Sequence, residues 1–497
     1  WKYLASRNST YLYATAAVLA LSFATKETTY ITVFLFGSFL LLMASWEFIS
    51  WVRGMRLEDK PDNSFKYVGS KLGLILKNVP PWPSKIHAKS EVSGVVALFI
   101  LFLTLSLPMG SALASIFQDS IGLTLANPAE NWNIGPVGSP IDEGTYLAFA
   151  VFLVFIGTAI AIGIRWNWRL WLRYSIIFYG VYIVLVTTMF TNLPGLGSGF
   201  WQSLGYWLAQ HEVARGSQPW YYYLLILPLY EFFPLVFASA SLPYYARRSS
   251  NLFDWFLIYW AIGTLLVYTL AGEKMPWLAV HVTLPLIILA GKFLGDILGN
   301  VQWNRLRQTG SVCFLILVPV FLILIFSAMD SQPQPRGLPR TFEIWALTGM
   351  ATMTLATLIY VARRIGGKTT LQISTVAITI VLALFTIRAT FQASYRHGDI
   401  PVEMLVYTQT SPDIPRLMTE IHRLAQESGN RENLKITIDQ TDGFVWPWAW
   451  YLRDYKAIHL QDFSQVSSTT PSGDILIVNA RNQAKVKPFL GEYGPGQ

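Results

Sequence analysis

Cysteine is almost absent from this chain. Cys313 stands alone inside an apolar run, which excludes an internal disulfide and a cysteine-based zinc site. Charge is scarce too: Asp, Glu, Lys and Arg make up 13% of the 497 residues, against 53% hydrophobic residues. That charged share is about half the usual one, and a soluble globular enzyme is excluded with it. The formal net charge is +8, but the basic residues alternate with apolar runs and form no continuous patch, so nucleic acid is not a partner. No internal repeat stands out. His211-Glu212 lacks a second ligand motif of the HExxH kind, so no pattern calls for a divalent metal and the cofactor stays unknown. Residue 1 is Trp, with neither a basic leader nor a signal core after it. The numbering is therefore expected to begin inside a longer protein.

What is present is a series of apolar runs near 20 residues long, the mark of a polytopic α-helical membrane protein. Eleven spans are predicted, at 10–24, 30–52, 92–107, 144–164, 174–191, 220–243, 251–270, 275–297, 311–328, 341–362 and 370–387. Loop charge orients them. One set of alternate loops carries twenty Lys and Arg, eight of them between residues 53 and 90; the other set carries five, and loop 108–143 has none. Positive charge collects on the cytoplasmic side, which places residues 53–90 inside and the chain beyond residue 387 outside. Residues 388–497 lose the membrane pattern and read as a small extracytoplasmic α/β domain. Strands are expected at Met404–Gln409, Leu434–Asp439 and Asp474–Asn479, with a helix at Pro415–Ser428.

The remaining charges of interest gather on the outer side. Ala271-Gly272-Glu273-Lys274-Met275-Pro276-Trp277 separates two apolar runs. Pro276 suits the first position of a helix. Lys274, Trp277 and His281 then fall near one face, with the helix N-terminus and the ammonium aimed at one pocket, a place for a phosphate. A snorkelling lysine with a belt tryptophan reads equally well. The first outer turn holds an adjacent acid and base, Lys26-Glu27. A third outer loop brings His211, Glu212 and Arg215 before Trp220, Tyr221 and Tyr222, where Arg favours phosphate or carboxylate and the rings form either a sugar platform or an aromatic belt. Glu231 is expected about 15 Å along the following helix. A carboxylate at that depth is a functional candidate by default. In the outer domain Trp446, Trp448 and Trp450 suggest either sugar stacking or a dock onto the membrane part.

Four stretches together carry a resemblance: Phe23 to Thr28, Glu212 to Tyr223, Gly272 to Trp277 and Trp446 to Tyr451. Over nearly its whole length the chain resembles the flippase-activity-associated membrane protein family of archaea and bacteria. That family is similar to dolichyl-phosphate-mannose protein mannosyltransferases and to the wider GT-C glycosyltransferase superfamily. The resemblance implies a polyprenyl-phosphate sugar as donor, an active site facing outward in the plasma membrane, and an acceptor protein or glycan. It also implies earlier helices and a first outer loop with a catalytic carboxylate. The first outer turn here is Lys26-Glu27, so those helices and that loop are expected to precede residue 1.

The expected function is thus transfer of a sugar from a polyprenyl-phosphate donor to an acceptor on the outer face. Lys26, Arg215 and Lys274 are the candidate phosphate ligands, and Glu27, Glu231 and Glu273 the candidate acceptor-orienting or auxiliary catalytic carboxylates. His211, Glu212, Trp220, Tyr221, Tyr222, Trp277, His281, Trp446, Trp448 and Trp450 are the candidate sugar contacts. The alternatives are a lipid-linked sugar flippase or transporter, and a non-catalytic subunit of a membrane complex.

Overall fold

In a computed structural model the described residues are 1–54, 91–128, 134–210, 218–248, 251–299, 312–329, 340–398, 400, 402–407, 410–411, 413–429, 434–465 and 472–491. They form two compact units, Trp1–Arg388 and Ala389–Gln497.

Unit 1 is helical, as apolar runs must be where the backbone can bond only to itself. Its helices are α1 (Thr10–Thr25), α2 (Thr29–Gly54), α3 (Glu91–Ser106), α4 (Glu143–Val186), α5 (Ser203–Ala209), α6 (Tyr222–Tyr230), α7 (Phe232–Arg247), α8 (Leu252–Leu270), α9 (Ala279–Leu298), α10 (Val312–Met329), α11 (Arg340–Ile365) and α12 (Gly367–Phe391). Helix thus occupies each of the eleven predicted runs. Among the described residues, six helices are long and apolar enough to cross a membrane, or up to eight when each of two bent pairs is taken as one span. Helices α1 and α10 are apolar but shorter.

Two of the predicted runs are continuous in α4, which is 44 residues long. A straight helix of that length would reach about 66 Å, twice the hydrocarbon thickness. The helix is not straight. Asn167 leaves helical geometry (φ −164°, ψ 95°), and its side-chain oxygen accepts from the Leu170 amide at 3.2 Å, capping the second arm. A Cβ on Gly163 would lie 2.3 Å from the Trp171 ring, a contact that eight residues of straight helix could not make. The chain therefore folds back at Asn167. Trp171 also donates to Thr104 Oγ1 at 3.1 Å, tying the second arm to α3.

The predicted span 220–243 is broken into α6 and α7, bent by 104°. Pro234 explains the break, because its ring would clash with the Tyr230 carbonyl and it offers no N–H to it. Glu231 sits at the break with φ −115°, ψ 30°, ending α6 and starting α7.

Helices α2 and α8 are antiparallel neighbours. Leu35 meets Gly263, Ser38 Oγ bonds Tyr259 Oη at 2.7 Å, and Phe39 packs on Phe256, so positions rise in one helix as they fall in the other. The start of α2 thus lies beside the end of α8. At the far end of α8, Lys292 on α9 pairs with Asp254 at 3.0 Å and with Asp296 at 3.1 Å, and Tyr245 of α7 donates to Asp296 at 2.9 Å. This cluster joins three helices at one end of the bundle.

Unit 2 holds a three-stranded parallel sheet: β1 (Ile436–Asp439), β2 (Ile458–Gln461) and β3 (Ile475–Ile477), in the order β2-β1-β3. Helix α13 (Asp413–Glu427) covers one face through Ile414, Met418, Ile421 and Ala425, a spacing of three and four. The predicted strand Met404–Gln409 is not found in its described part, residues 404–407, which is turn and irregular chain. The Val406 amide closes a turn onto the Glu403 carbonyl at 3.0 Å, and Glu403 pairs with His397 at 2.7 Å. The third strand is instead β2, whose Ile-His-Leu-Gln sits at the sheet edge and is too weakly apolar to stand out in the sequence.

Two substitutions test these packing arguments by thermal unfolding in detergent. Gly163→Ala should destabilise unit 1 by about 1–3 kcal/mol, since Trp171 occupies the space of the new methyl. Lys292→Met should cost about 3–5 kcal/mol by leaving the buried Asp254 carboxylate unpaired. Unfolding of both variants at wild-type temperature would contradict the fold-back and the charge cluster.

Candidate functional site

Three loops meet at the end of unit 1 where α2 starts and α8 ends. The first is the turn Lys26–Thr28, fixed by Thr29 Oγ1 donating to the Ser22 carbonyl at 2.7 Å. Lys26 has extended backbone (φ −161°, ψ 147°), which turns it and Glu27 to opposite sides. They form no ion pair with each other. Lys26 lies within electrostatic reach of the His281 ring, and Glu27 acts likewise on Tyr30, whose hydroxyl bonds Ser203 Oγ at 2.7 Å.

The second loop is 271–278. Pro276 does open the following helix, with a 3₁₀ turn, Pro276–Leu278, leading into α9. Met275 is extended (φ −106°, ψ 146°), so Lys274 stands off the helix and outside its spacing. Lys274 is buried, 6% exposed, whereas Trp277 is half exposed. The Lys274 ammonium turns back onto its own loop and donates to the Ala271 carbonyl at 2.5 Å. Among the described residues no carboxylate pairs with it, and burial pushes its pKa below the ordinary lysine value. Glu273 is partly exposed and acts electrostatically on Tyr223, which donates to the Met275 carbonyl at 3.1 Å. His281 stacks on Tyr268, ring planes 3° apart and centroids at 5.6 Å.

The third contribution is the start of α6. Trp220 and Tyr221 are exposed and meet edge to face, while Tyr222 is buried in the core against Tyr223. His211, Glu212 and Arg215 lie outside the described residues. Glu231 is half-buried at the α6–α7 break, and among the described residues no side chain bonds its carboxylate. In unit 2 Trp448 is buried in the core, and Trp446 and Trp450 are exposed on the other side of the short helix α14 (Val445–Tyr451).

The structure thus brings Lys26 and His281 together and places Glu27, Glu273 and Lys274 on the loops around them. A cavity of about 660 Å³ runs through the bundle and reaches Ser22 and Thr29, which flank the first of these turns. Its wall follows one face of α1 through Tyr11, Thr15, Val18 and Ser22, and is completed by Phe36 of α2 and Trp260 of α8. The lining is almost wholly apolar and extends about 16 Å along α1. The Asp254–Lys292–Asp296–Tyr245 cluster was not among the residues singled out from the sequence. Its signal was there: acids and a lysine inside predicted spans, which hydrocarbon tolerates only when paired.

No family model, no curated protein and no solved structure matches the chain. Among the described residues no group of three or more His, Cys, Asp or Glu is placed to hold a metal ion.

The lowered pKa of Lys274 has two signed consequences. Its protonated form is disfavoured in the folded state, so folding stability should rise with pH from the lowered folded value toward the unfolded one, 10.5. Anion binding at Lys274 should weaken over that same range, as the ammonium is lost. Inorganic phosphate titrations across the alkaline range, on wild type and Lys274→Arg, would check this; an arginine, charged throughout, should remove the alkaline limb.

Proposed function

We propose that the chain is a GT-C-type membrane glycosyltransferase that moves a sugar from a polyprenyl-phosphate donor to an acceptor on the outer face of the plasma membrane. In this reading the eleven runs are eleven spans and unit 2 is extracytoplasmic. The observation that carries it is the buried Lys274 ammonium, whose one described hydrogen-bond partner is a neutral carbonyl. A buried charge without a counter-ion is costly to keep. An incoming phosphate would supply that counter-ion, with Lys26 beside His281 as a second cation. The apolar cavity along α1 suits the polyprenyl chain, since it runs from Lys2 to Ser22 and Thr29 beside the Lys26 turn.

Chemically, the acceptor hydroxyl attacks the anomeric carbon and the bond from that carbon to the phosphate oxygen breaks. The oxygen leaves with the electron pair, and Lys274 and Lys26 meet the charge developing there. The hydroxyl proton passes to a carboxylate, for which Glu27 and Glu273 are the nearest candidates on the same loops. Arg215 remains a third phosphate ligand on sequence grounds. Trp220, Tyr221 and Trp277, exposed near the loops, are available to the sugar ring.

A second reading, a lipid-linked sugar flippase, is favoured by Glu231. A half-buried carboxylate at a 104° break in a spanning pair is the kind of interruption that lines a polar route through a transporter.

The decisive substitutions are at Lys274, measured in membranes as transfer from, or binding of, a polyprenyl-phosphate sugar. Lys274→Gln should lose about 2–3 kcal/mol of transition-state stabilisation, roughly 30- to 150-fold, and Lys274→Arg should recover part of it. Lys274→Met should raise the unfolding temperature while losing transfer to the same extent as Lys274→Gln, because it removes a buried charge that no described carboxylate pairs. A Lys274→Met protein that is less stable and still active would make the lysine structural. For topology, with Cys313 replaced, single cysteines at Ser394 and Ser70 should react with an impermeant reagent on intact cells only at Ser394.

A further inference from the structure

In unit 2 the sheet order β2-β1-β3, all parallel, puts a change of direction between β1 and β3. Loops leaving the C-terminal ends of such strands diverge, and the crevice between them is where open α/β sheets take ligands. Here those loops follow Asp439 and Ile477, and both are organised by one residue. Asp439 is fully buried and accepts five hydrogen bonds: from the Thr441 amide (3.0 Å) and hydroxyl (2.6 Å), the Phe463 amide (3.4 Å), the Asn479 amide (3.1 Å) and the Asn482 side-chain amide (2.9 Å). Burial alone would raise this carboxyl, but the hydrogen bonds outweigh it and hold the group below the ordinary aspartate value. Three loops are thereby locked to one buried anion.

The rim of the crevice is set by this lock. Asp442 adopts left-handed backbone (φ 54°), which Asp tolerates better than most residues, and pairs with Arg481 across the β1 and β3 loops at 2.6 Å. Next to it the Trp446 indole lies on Gly443: a Cβ there, at φ 73°, would be 3.1 Å from the ring. Trp446 is 76% exposed, and Trp450, one turn further along α14, is 66% exposed with Arg453 over its ring at 4.3 Å. Trp448 between them is 2% exposed and belongs to the core. Packing therefore uses one indole of the three and leaves two on the surface.

We propose that unit 2 carries an oligosaccharide-binding crevice at the C-terminal ends of β1 and β3, with Trp446 as stacking platform and the Asp442–Arg481 pair as the polar contact. An exposed indole takes the apolar C–H face of a sugar ring, and a carboxylate beside a guanidinium takes its hydroxyls from both sides, as acceptor and donor. The mutual neutralisation of Asp442 and Arg481 favours an uncharged ligand over a phosphate. Sugar binding here does not depend on the transfer reaction proposed above.

The test uses the full chain in lipid nanodiscs on an array of neutral oligosaccharides built from hexose and N-acetylhexosamine units. Wild type should retain a defined subset. Trp446→Ala should bind that subset about tenfold more weakly, Trp446→Phe should keep most of the affinity, and Arg481→Gln should weaken binding or change the subset. Lys274→Gln should retain the sugars as wild type does, so failure of the transfer reading and failure of this one are separable. The proposal is overturned if wild type retains no sugar, or if Trp446→Ala and Arg481→Gln retain the same sugars equally well. It is also overturned if Trp446→Ala lowers the unfolding temperature without affecting sugar retention, which would mark the indole as a packing contact.

Discussion

A long apolar run must satisfy its own backbone hydrogen bonds wherever water is excluded, and most of unit 1 follows from that constraint. Each apolar run is helical because no other local structure closes its N–H and C=O groups internally. Two departures from helix among the described residues have a clear local cause. At Asn167 the side-chain oxygen caps the second arm of α4, and at Glu231 the chain turns where Pro234 withholds its amide.

Charge obeys the same constraint at the two ends of α8 and α9, with opposite outcomes. At one end Lys292 pairs with Asp254 and Asp296, and the Tyr245 hydroxyl donates to Asp296. At the other end Lys274 is buried where Lys292 is partly exposed, and among the described residues its one hydrogen-bond partner is the Ala271 carbonyl. A protein selected for stability alone would place an apolar residue there, as the core around Met275 and Leu278 does. The two ends thus differ among the described residues: carboxylates meet the lysine at one, and a backbone carbonyl meets it at the other. Unit 2 solves its own version of the problem through Asp439, whose buried charge is met by hydrogen bonds from three loops. Five donors rather than a cation stabilise it, and its reward is the alignment of those loops.

Sequence by itself determined the helices of unit 1, because a run of about 20 apolar residues has one stable form in lipid. It also marked Lys26, Lys274 and His281, as charged groups at the borders of apolar runs, and it located α13, β1 and β3 by their periodicity. Tertiary structure decided what periodicity cannot encode. The 104° bend at Glu231 depends on where Pro234 lets the chain go, and the fold-back at Asn167 on Trp171 finding Gly163. Lys26 and His281, 255 positions apart in the chain, meet because α2 and α8 are antiparallel. The three tryptophans of α14 look alike in the sequence, and only packing against β1 separates buried Trp448 from exposed Trp446 and Trp450. Burial and partnership are properties of contacts between distant segments, and a linear pattern records only which side chains are available to make them.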